Sequence, residues 1–87
     1  MYLAYEYLTN SEMDIRKRFG KRVKELRQAR GLSQEALAHL VEVDTNCISG
    51  IEKGEWDISI EMIQKLSIAL QINISGLFEG LALFEVP

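Results

Sequence analysis

The sequence of 87 residues contains one cysteine, one histidine and one proline, and the proline is its last residue. A single cysteine, Cys47, excludes a disulfide within the chain and fits a reducing cytoplasm, where we place the protein. Neither Cys47 nor His39 has the neighbouring residues that a nucleophile–base pair or a metal site requires. We therefore expect that the protein is not an enzyme and that it binds no metal ion and no cofactor.

Long apolar runs are also missing from the sequence. No stretch approaches the roughly 18 apolar residues that would span a bilayer, so we expect no membrane association. The first residues, MYLAYEYLTNSE, lack a basic start and a small-residue cleavage site, so we expect no signal peptide. The length allows one small domain, in which every apolar face must be used because a core of this size is marginal.

The net charge is -3, which at first argues against a nucleic-acid partner. The charge is unevenly distributed, because residues 14–54 hold nine Lys or Arg against six Asp or Glu, whereas residues 55–87 hold one Lys against five acids. Most of the basic residues lie between Arg16 and Arg30. Since phosphates meet the local charge rather than the total, nucleic acid stays a candidate partner.

Apolar residues at helical spacing predict an all-α fold of five helices. Capping residues indicate where the helices begin, and glycines or turns indicate where they end. The predicted helices run from a capping box at Ser11–Asp14 to about Arg30, from the cap Ser33 to about Val41, from the cap Asp44 or Thr45 to about Lys53, from the cap Ser59 to about Leu70, and from the cap Asn73 to Gly80.

The same spacing predicts which side chains face the core. We expect each helix to bury one apolar stripe, with the basic residues of the first helix outside it. The expected inward residues are Ile15, Phe19, Val23 and Leu26 in the first helix, Leu37 and Val41 in the second, Ile48 and Ile51 in the third, Met62, Ile63, Leu66, Ala69 and Leu70 in the fourth, and Ile74, Leu77 and Phe78 in the fifth.

The chain divides into an N-terminal extension at residues 1–12, a helical domain at 13–80 and an apolar tail at 81–87. All three tyrosines lie in the extension, and the tail reads LALFEVP. A monomer of this size has little room to bury both ends, so we predict that they pack across a dimer interface. The alternative is an N-terminal leader that frays.

Two short predicted helices, separated by a three-residue turn, occupy SQEALAHLVEVDTNCISGIEKG at residues 33–54 and cannot be stable alone. The other helices supply a scaffold that would present the second of the pair on a convex face, a shape that fits a major groove about 12 Å wide. The segment LSQEALAHLVEVDTNCISGIEKG resembles the helix-turn-helix of phage Cro- and C1-repressor-like proteins, the xenobiotic-response-element class of bacterial regulators.

The resemblance covers most of the chain, from about Ile15 to Phe78, and rests on the motifs LSQEALA, ISGIEKG and IEMIQKLSIALQINISGLF. Within the class, the size and the pattern ISGIEKG…ISIEMIQKLSIAL are most similar to controller proteins of restriction-modification systems. The resemblance implies a five-helix, lambda-repressor-like domain with the helix-turn-helix at helices two and three. It further implies a homodimer that binds a palindromic operator in double-stranded DNA.

The resemblance also implies which residues read the DNA sequence. The third helix would enter the major groove, with Thr45, Asn46, Ser49 and Gly50 facing the bases. Asn46 has the most suitable chemistry, because an Asn amide can bond to both N6 and N7 of adenine. Thr45 can offer its hydroxyl to a base or phosphate, or its methyl group to a thymine.

Other residues would position the protein on the DNA backbone. Gln34 matches a family position that contacts a phosphate, and Lys53 would lie near the backbone. Arg27 and Glu52 match a family pair that ties the first helix to the third, and Arg27 could add one phosphate contact.

The chain departs from the family pattern at several positions. Glu42 stands where the turn usually has glycine, and a left-handed backbone there costs roughly 1–2 kcal/mol. Thr45 stands where many relatives have arginine, so we do not expect guanine readout. The loop at residues 54–57 is acidic, which opposes contact with phosphates. Its Trp56 could stack on the DNA backbone, fill an interface or pack beside the fourth helix. We interpret Cys47 as a packing or exposed residue rather than a redox switch, since nothing cationic flanks it.

We predict a transcriptional regulator that acts by occupying a promoter, either blocking it or recruiting RNA polymerase from beside it. The specific role that we favour is the autoregulatory controller of a restriction-modification system. Two alternatives stay open: an antitoxin that binds its toxin with a terminal extension, and a protein-interaction module without DNA binding. The sequence shows no separate ligand domain, so we expect no small-molecule effector.

Overall fold

The computed structural model describes residues 14–81, and within them the chain forms five helices and no strand. The helices are α1 (Ile15–Ala29), α2 (Gln34–Leu40), α3 (Thr45–Lys53), α4 (Ile60–Ala69) and α5 (Ile74–Leu77). The predicted all-α fold is confirmed. In this part of the chain no helix is long and apolar enough to cross a bilayer. The predicted extension at residues 1–12, and all of the predicted tail except Leu81, lie outside the described residues.

Three helices begin at the predicted side-chain caps. A backbone N–H in the first turn is accepted by the Ser33 hydroxyl before α2 at 3.0 Å and by the Ser59 hydroxyl before α4 at 3.1 Å. The Asp44 carboxylate accepts an N–H of α3 at 2.8 Å. Each bond satisfies a donor that a helix start otherwise leaves unpaired. Asn73 precedes α5 as predicted, but its side chain makes no capping hydrogen bond.

The start of α1 differs from the prediction. Asp14 is itself the N-cap, since its Oδ1 accepts the backbone N–H of Arg16 at 2.8 Å, so the predicted capping box that begins at Ser11 is wrong. The Arg16 guanidinium donates to the same carboxylate from Nε at 3.2 Å and from Nη2 at 2.9 Å. These hydrogen bonds lower the pKa of Asp14 to about 2, so the cap stays ionised at neutral pH.

The core lies between the helices and consists mostly of the residues that the helical spacing selected. Its members are Phe19, Val23, Leu37, Ala38, Val41, Ile48, Ile51, Leu66, Leu70, Leu77 and Leu81. The side chains of Leu26, Met62, Ile63 and Ala69 are partly buried and pack against it. Leu81, the first residue of the predicted tail, therefore belongs to the packed domain.

Three residues predicted to face inward are exposed instead. Ile15 is 47% exposed and Ile74 is 50% exposed, because each is the first residue of its helix and lies beyond the edge of the core. Phe78 follows the last residue of α5 and is also exposed. Its ring contacts that of Phe19 with centroids 5.0 Å apart, so it covers the core from outside.

Helices α1 to α4 end in the same way. A residue with positive φ follows each helix, and the next N–H bonds back to the carbonyl five residues earlier, which is the Schellman arrangement. The positive-φ residues are Gly31, Glu42, Gly54 and Gln71, and the bonds are Leu32 N to Arg27 O at 3.1 Å, Val43 N to Ala38 O at 2.9 Å, Glu55 N to Gly50 O at 3.0 Å and Ile72 N to Ser67 O at 3.0 Å. The turn after α2 therefore keeps its left-handed residue although that residue is Glu42.

The backbones of α1 and α3 are in contact at Gly20. A Cβ atom there would run into the carbonyl oxygens of Ile51 and Glu52, so this approach requires glycine. Just after α3, a Cβ on Gly54 would lie 2.5 Å from the Cα of Lys17. These two contacts hold α3 against α1 and fix its position in the fold.

Candidate nucleic-acid interface

Helix α3 presents polar side chains on the side opposite the core. Ile48 and Ile51 are buried, whereas Asn46 is exposed and Thr45 and Ser49 are half-buried. Within residues 14–81 no hydrogen bond engages the side chains of these three polar residues, so their donors and acceptors are available to a ligand. The structure thus brings together three of the four residues predicted to read bases.

The fourth predicted base-reading residue, Gly50, is buried under the indole of Trp56. A Cβ atom on Gly50 would lie 2.9 Å from Trp56 Cε2 and 3.0 Å from Nε1, so the missing side chain is what lets the ring pack there. Gly50 is buried and so has little surface to offer a base, which gives no support to its predicted base-reading role. The contact found for Trp56 is with α3, which none of our three expectations for this ring named.

A buried ion pair ties α3 to α1. Arg27 Nε donates to Glu52 Oε2 at 2.7 Å and Nη2 donates to Oε1 at 3.1 Å, while Nη1 donates to the Leu32 carbonyl at 2.8 Å. The amide of Gln34 also donates to Glu52 Oε1, at 3.0 Å, which joins α2 to the network. Bidentate, charge-assisted hydrogen bonds are among the strongest in proteins. The pair implied by the resemblance is therefore present, as part of a network that links three helices.

The network limits how two of the predicted phosphate-contacting residues, Arg27 and Gln34, can bind a phosphate. Arg27 is only 8% exposed and all three guanidinium nitrogens already donate hydrogen bonds, so it positions the helices and offers little to a phosphate. Gln34 is half-buried and uses one amide hydrogen on Glu52, which leaves its second for a phosphate. Lys53, the third predicted contact, is exposed at the end of α3.

Acidic and basic side chains meet at the edge of this surface. Glu55 and Asp57, in the loop after α3, are both exposed. Asp57 Oδ1 lies 3.9 Å from Arg16 Nη1, but both groups are exposed and such pairs are weak. Exposed lysines on α1 also carry positive charge: Lys17, which packs against Gly54 at the start of this loop, and Lys21 and Lys24 further along the helix. The surface around α3 is therefore mixed in charge rather than uniformly basic.

Cys47 is half-buried on α3, and burial raises the pKa of its thiol, with a smaller contribution from the Asp44 carboxylate. The group therefore stays a neutral thiol at physiological pH, and the neutral form is a poor nucleophile. This placement agrees with a packing role and gives no support to a redox switch.

Two contacts were missed by reasoning from the sequence. The bond from Gln34 to Glu52 joins residues on different helices, and no local spacing indicates it. The packing of Trp56 on Gly50 did have a signal, because a glycine inside a helix costs about 1 kcal/mol relative to alanine and suggests a close neighbour.

Comparison with known proteins agrees with this geometry. The sequence profile of the helix-turn-helix family matches residues 23–77. Control protein C.MunI from a Mycoplasma species is 38% identical over 69 residues, which cover 78% of this chain and 93% of the relative. Control protein C.BamHI from Bacillus amyloliquefaciens is 34% identical over 67 residues, which cover 76% of this chain and 83% of the relative.

Solved structures give the same result. The restriction-modification controller protein C.AhdI from Aeromonas hydrophila matches with a TM-score of 0.70 and 46% identity, covering 75% of this chain and 97% of that one. The controller C.Esp1396I, solved as a tetramer in complex with its natural 35-base-pair operator, matches with a TM-score of 0.70 and 26% identity, covering 78% of this chain and 90% of that one. The chain therefore belongs to the helix-turn-helix family of DNA-binding transcriptional regulators, and within that family it is of the restriction-modification controller type.

Proposed function

We propose that this protein is the autoregulatory controller of a restriction-modification system, a homodimer that recognises a palindromic operator at its own promoter. The observation that carries the proposal is the outer face of α3, where the side chains of Thr45, Asn46 and Ser49 have no hydrogen-bond partner within residues 14–81. The similarity to the control proteins C.MunI and C.BamHI supports the controller role.

Sequence recognition would come from α3 lying in the major groove, which is about 12 Å wide and admits one helix. Asn46 would bond to N6 and N7 of an adenine and supply most of the discrimination. Thr45, in the first turn, and Ser49, one turn later, would contact neighbouring bases. Gln34 and Lys53, at opposite ends of the helix-turn-helix, would contact phosphates and set the orientation of the protein.

A dimer would place two copies of α3 on one operator. The controller C.Esp1396I is a tetramer on its natural operator, which supports an oligomeric complex here. Exposed apolar side chains also favour self-association, since Leu40 and Ile68 line the same surface depression between α2 and α4. A two-fold axis between the copies would separate their α3 helices by about 34 Å, one turn of B-DNA.

Regulation would follow from occupancy of the promoter. A dimer bound over the promoter excludes RNA polymerase, whereas a dimer bound beside it can recruit the polymerase. A controller that does both as its concentration rises would time the expression of the restriction enzyme.

The test is a binding titration against the DNA upstream of its own gene and against scrambled DNA of equal length, at several salt concentrations. The proposal expects preferential binding to the upstream DNA, with affinity for both DNAs falling as salt rises. Sedimentation should show a dimer at micromolar protein. Equal, weak binding to both DNAs would overturn the proposal and favour an antitoxin or a protein-interaction module, whose partner would then be sought by co-purification.

Asn46→Ala tests the base-reading role directly. It should weaken operator binding by about 5- to 150-fold, the range for one bidentate base contact, and leave binding to scrambled DNA nearly unchanged. Gln64→Ala removes an exposed amide from α4 and is the matched control, which should bind like the wild type. An equal loss on both DNAs would show that Asn46 does not read a base.

A further inference from the structure

The indole of Trp56 occupies the place on α3 where a side chain at residue 50 would stand. Its Cε2, Nε1 and Cδ2 atoms lie 2.9, 3.0 and 3.1 Å from the position that a Cβ on Gly50 would take. The residue is nevertheless 46% exposed, so part of the ring faces solvent. The ring is therefore a surface feature of α3, although it belongs to the loop that follows.

Helix geometry places this ring beside the base-reading residues. Successive residues of an α-helix are rotated by about 100°, so residue 50 lies about 40° from residue 46 and one turn further along. Ile48 and Ile51 point into the core, away from this side. The indole of Trp56 therefore lies next to Asn46, one turn further along the outer face of α3.

The charges beside Trp56 restrict what it can contact in DNA. Its sequence neighbours Glu55 and Asp57 are exposed carboxylates, which phosphates repel. Within the described part of the chain no hydrogen bond engages the indole. A ring in this setting suits an apolar group inside the groove, and the C5-methyl group of thymine is the apolar group that bases display in the major groove.

We propose that Trp56 is a specificity-determining residue, whose indole, seated on Gly50, contacts thymine methyl groups of the operator. This inference rests on the proposed DNA-binding function and deepens it. Asn46 selects adenine, and Trp56 selects thymine further along the same half-site. Gly50 takes part indirectly, because a side chain at residue 50 would displace the ring from α3.

The test replaces thymine by uracil, one position at a time, in the operator found by the binding titration. Uracil lacks only the methyl group, so each contacted position should cost the wild type about fourfold in affinity, the effect of one buried methyl group. Trp56→Ala should bind the operator more weakly and lose the response at one or more thymines to which the wild type responds, while any response due to Thr45 stays. Identical uracil profiles for the wild type and Trp56→Ala would overturn the inference.

Gly50→Ala keeps the inference testable if Trp56→Ala fails to fold. Alanine favours the helix more than glycine does, but its Cβ would push the ring off α3. This variant should bind scrambled DNA like the wild type and lose the response to uracil at the same thymines. An unchanged response to uracil would contradict the inference, because the ring could no longer hold its position.

Intrinsic fluorescence gives an independent measurement, since Trp56 is the sole tryptophan of the chain. Operator DNA should shield it from acrylamide quenching, and scrambled DNA should not. Equal quenching in the free and operator-bound protein would contradict the inference. Failure of the proposed function would look different, because the wild type would then bind operator and scrambled DNA equally before any variant is compared.

Discussion

Replacing Glu42 by glycine should stabilise the domain, because Glu42 holds a left-handed backbone with a φ of 60° in the turn between α2 and α3. That conformation costs a residue with a Cβ atom roughly 1–2 kcal/mol. Glycine removes the strain but makes the unfolded chain more flexible, which costs about 0.5–1 kcal/mol. The net gain should be about 0.5–1 kcal/mol, which raises the Tm of a domain of this size by about 2–8 °C.

Thermal unfolding followed by circular dichroism measures this gain, at a fixed protein concentration because self-association shifts the Tm. Glu42→Ala is the matched control, since it removes the carboxylate but keeps the Cβ atom, and its Tm should stay near that of the wild type. Gly31→Ala adds the same strain at a φ of 69°, where a Cβ meets nothing within 4 Å, and should lower the Tm. If Glu42→Ala raised the Tm as much as Glu42→Gly, charge rather than backbone strain would be the cause and the reasoning would be refuted.

Two further predictions concern charged groups. Arg27→Met should cost about 3–5 kcal/mol in urea unfolding, because it leaves the Glu52 carboxylate buried without its ion-pair partner. Arg27→Met/Glu52→Met should recover most of that loss, and a double variant as unstable as the single one would show that the pair is not coupled. The pKa of Asp14 is lowered from 3.8, its value in the unfolded chain, to about 2 in the fold. Its negative charge therefore stabilises the fold fully at pH values above 3.8, and this stabilisation is lost as the pH falls through about 2. The Tm difference between the wild type and Asp14→Asn, which keeps the capping oxygen and removes only the charge, should therefore be constant above about pH 5 and shrink toward pH 2; a difference unchanged at low pH would argue against a stabilising Asp14 carboxylate with a lowered pKa.

Most helix boundaries could be predicted because their causes are local. The hydroxyls of Ser33 and Ser59 bond to backbone groups three residues away, so a short stretch of sequence contains both partners. At the start of α1 the same reasoning placed the capping box at Ser11, whereas the Asp14 carboxylate is the cap and also bonds to the Arg16 guanidinium.

Contacts between elements were harder to predict. Helical spacing predicts the direction of a side chain but not how far the core extends along the helix. Ile15 and Ile74 were therefore predicted to face the core, although both are exposed in the fold. The position of Trp56 depends on how the loop after α3 folds back, and no periodicity encodes that path. The polar face of α3 was anticipated from family resemblance, whereas its extension by an indole required the three-dimensional structure.

The carboxylate of Glu52 accepts hydrogen bonds from both Arg27 and Gln34, and so links α1, α2 and α3. In the proposed dimer, α3 would then reach a displaced groove together with the rest of its subunit. One extra base pair between the half-sites would turn the second groove by about 35° and move it by about 3.4 Å. The DNA or the contact between the subunits would have to absorb that mismatch, so a carboxylate buried inside each subunit would bear on how much error in operator spacing is tolerated.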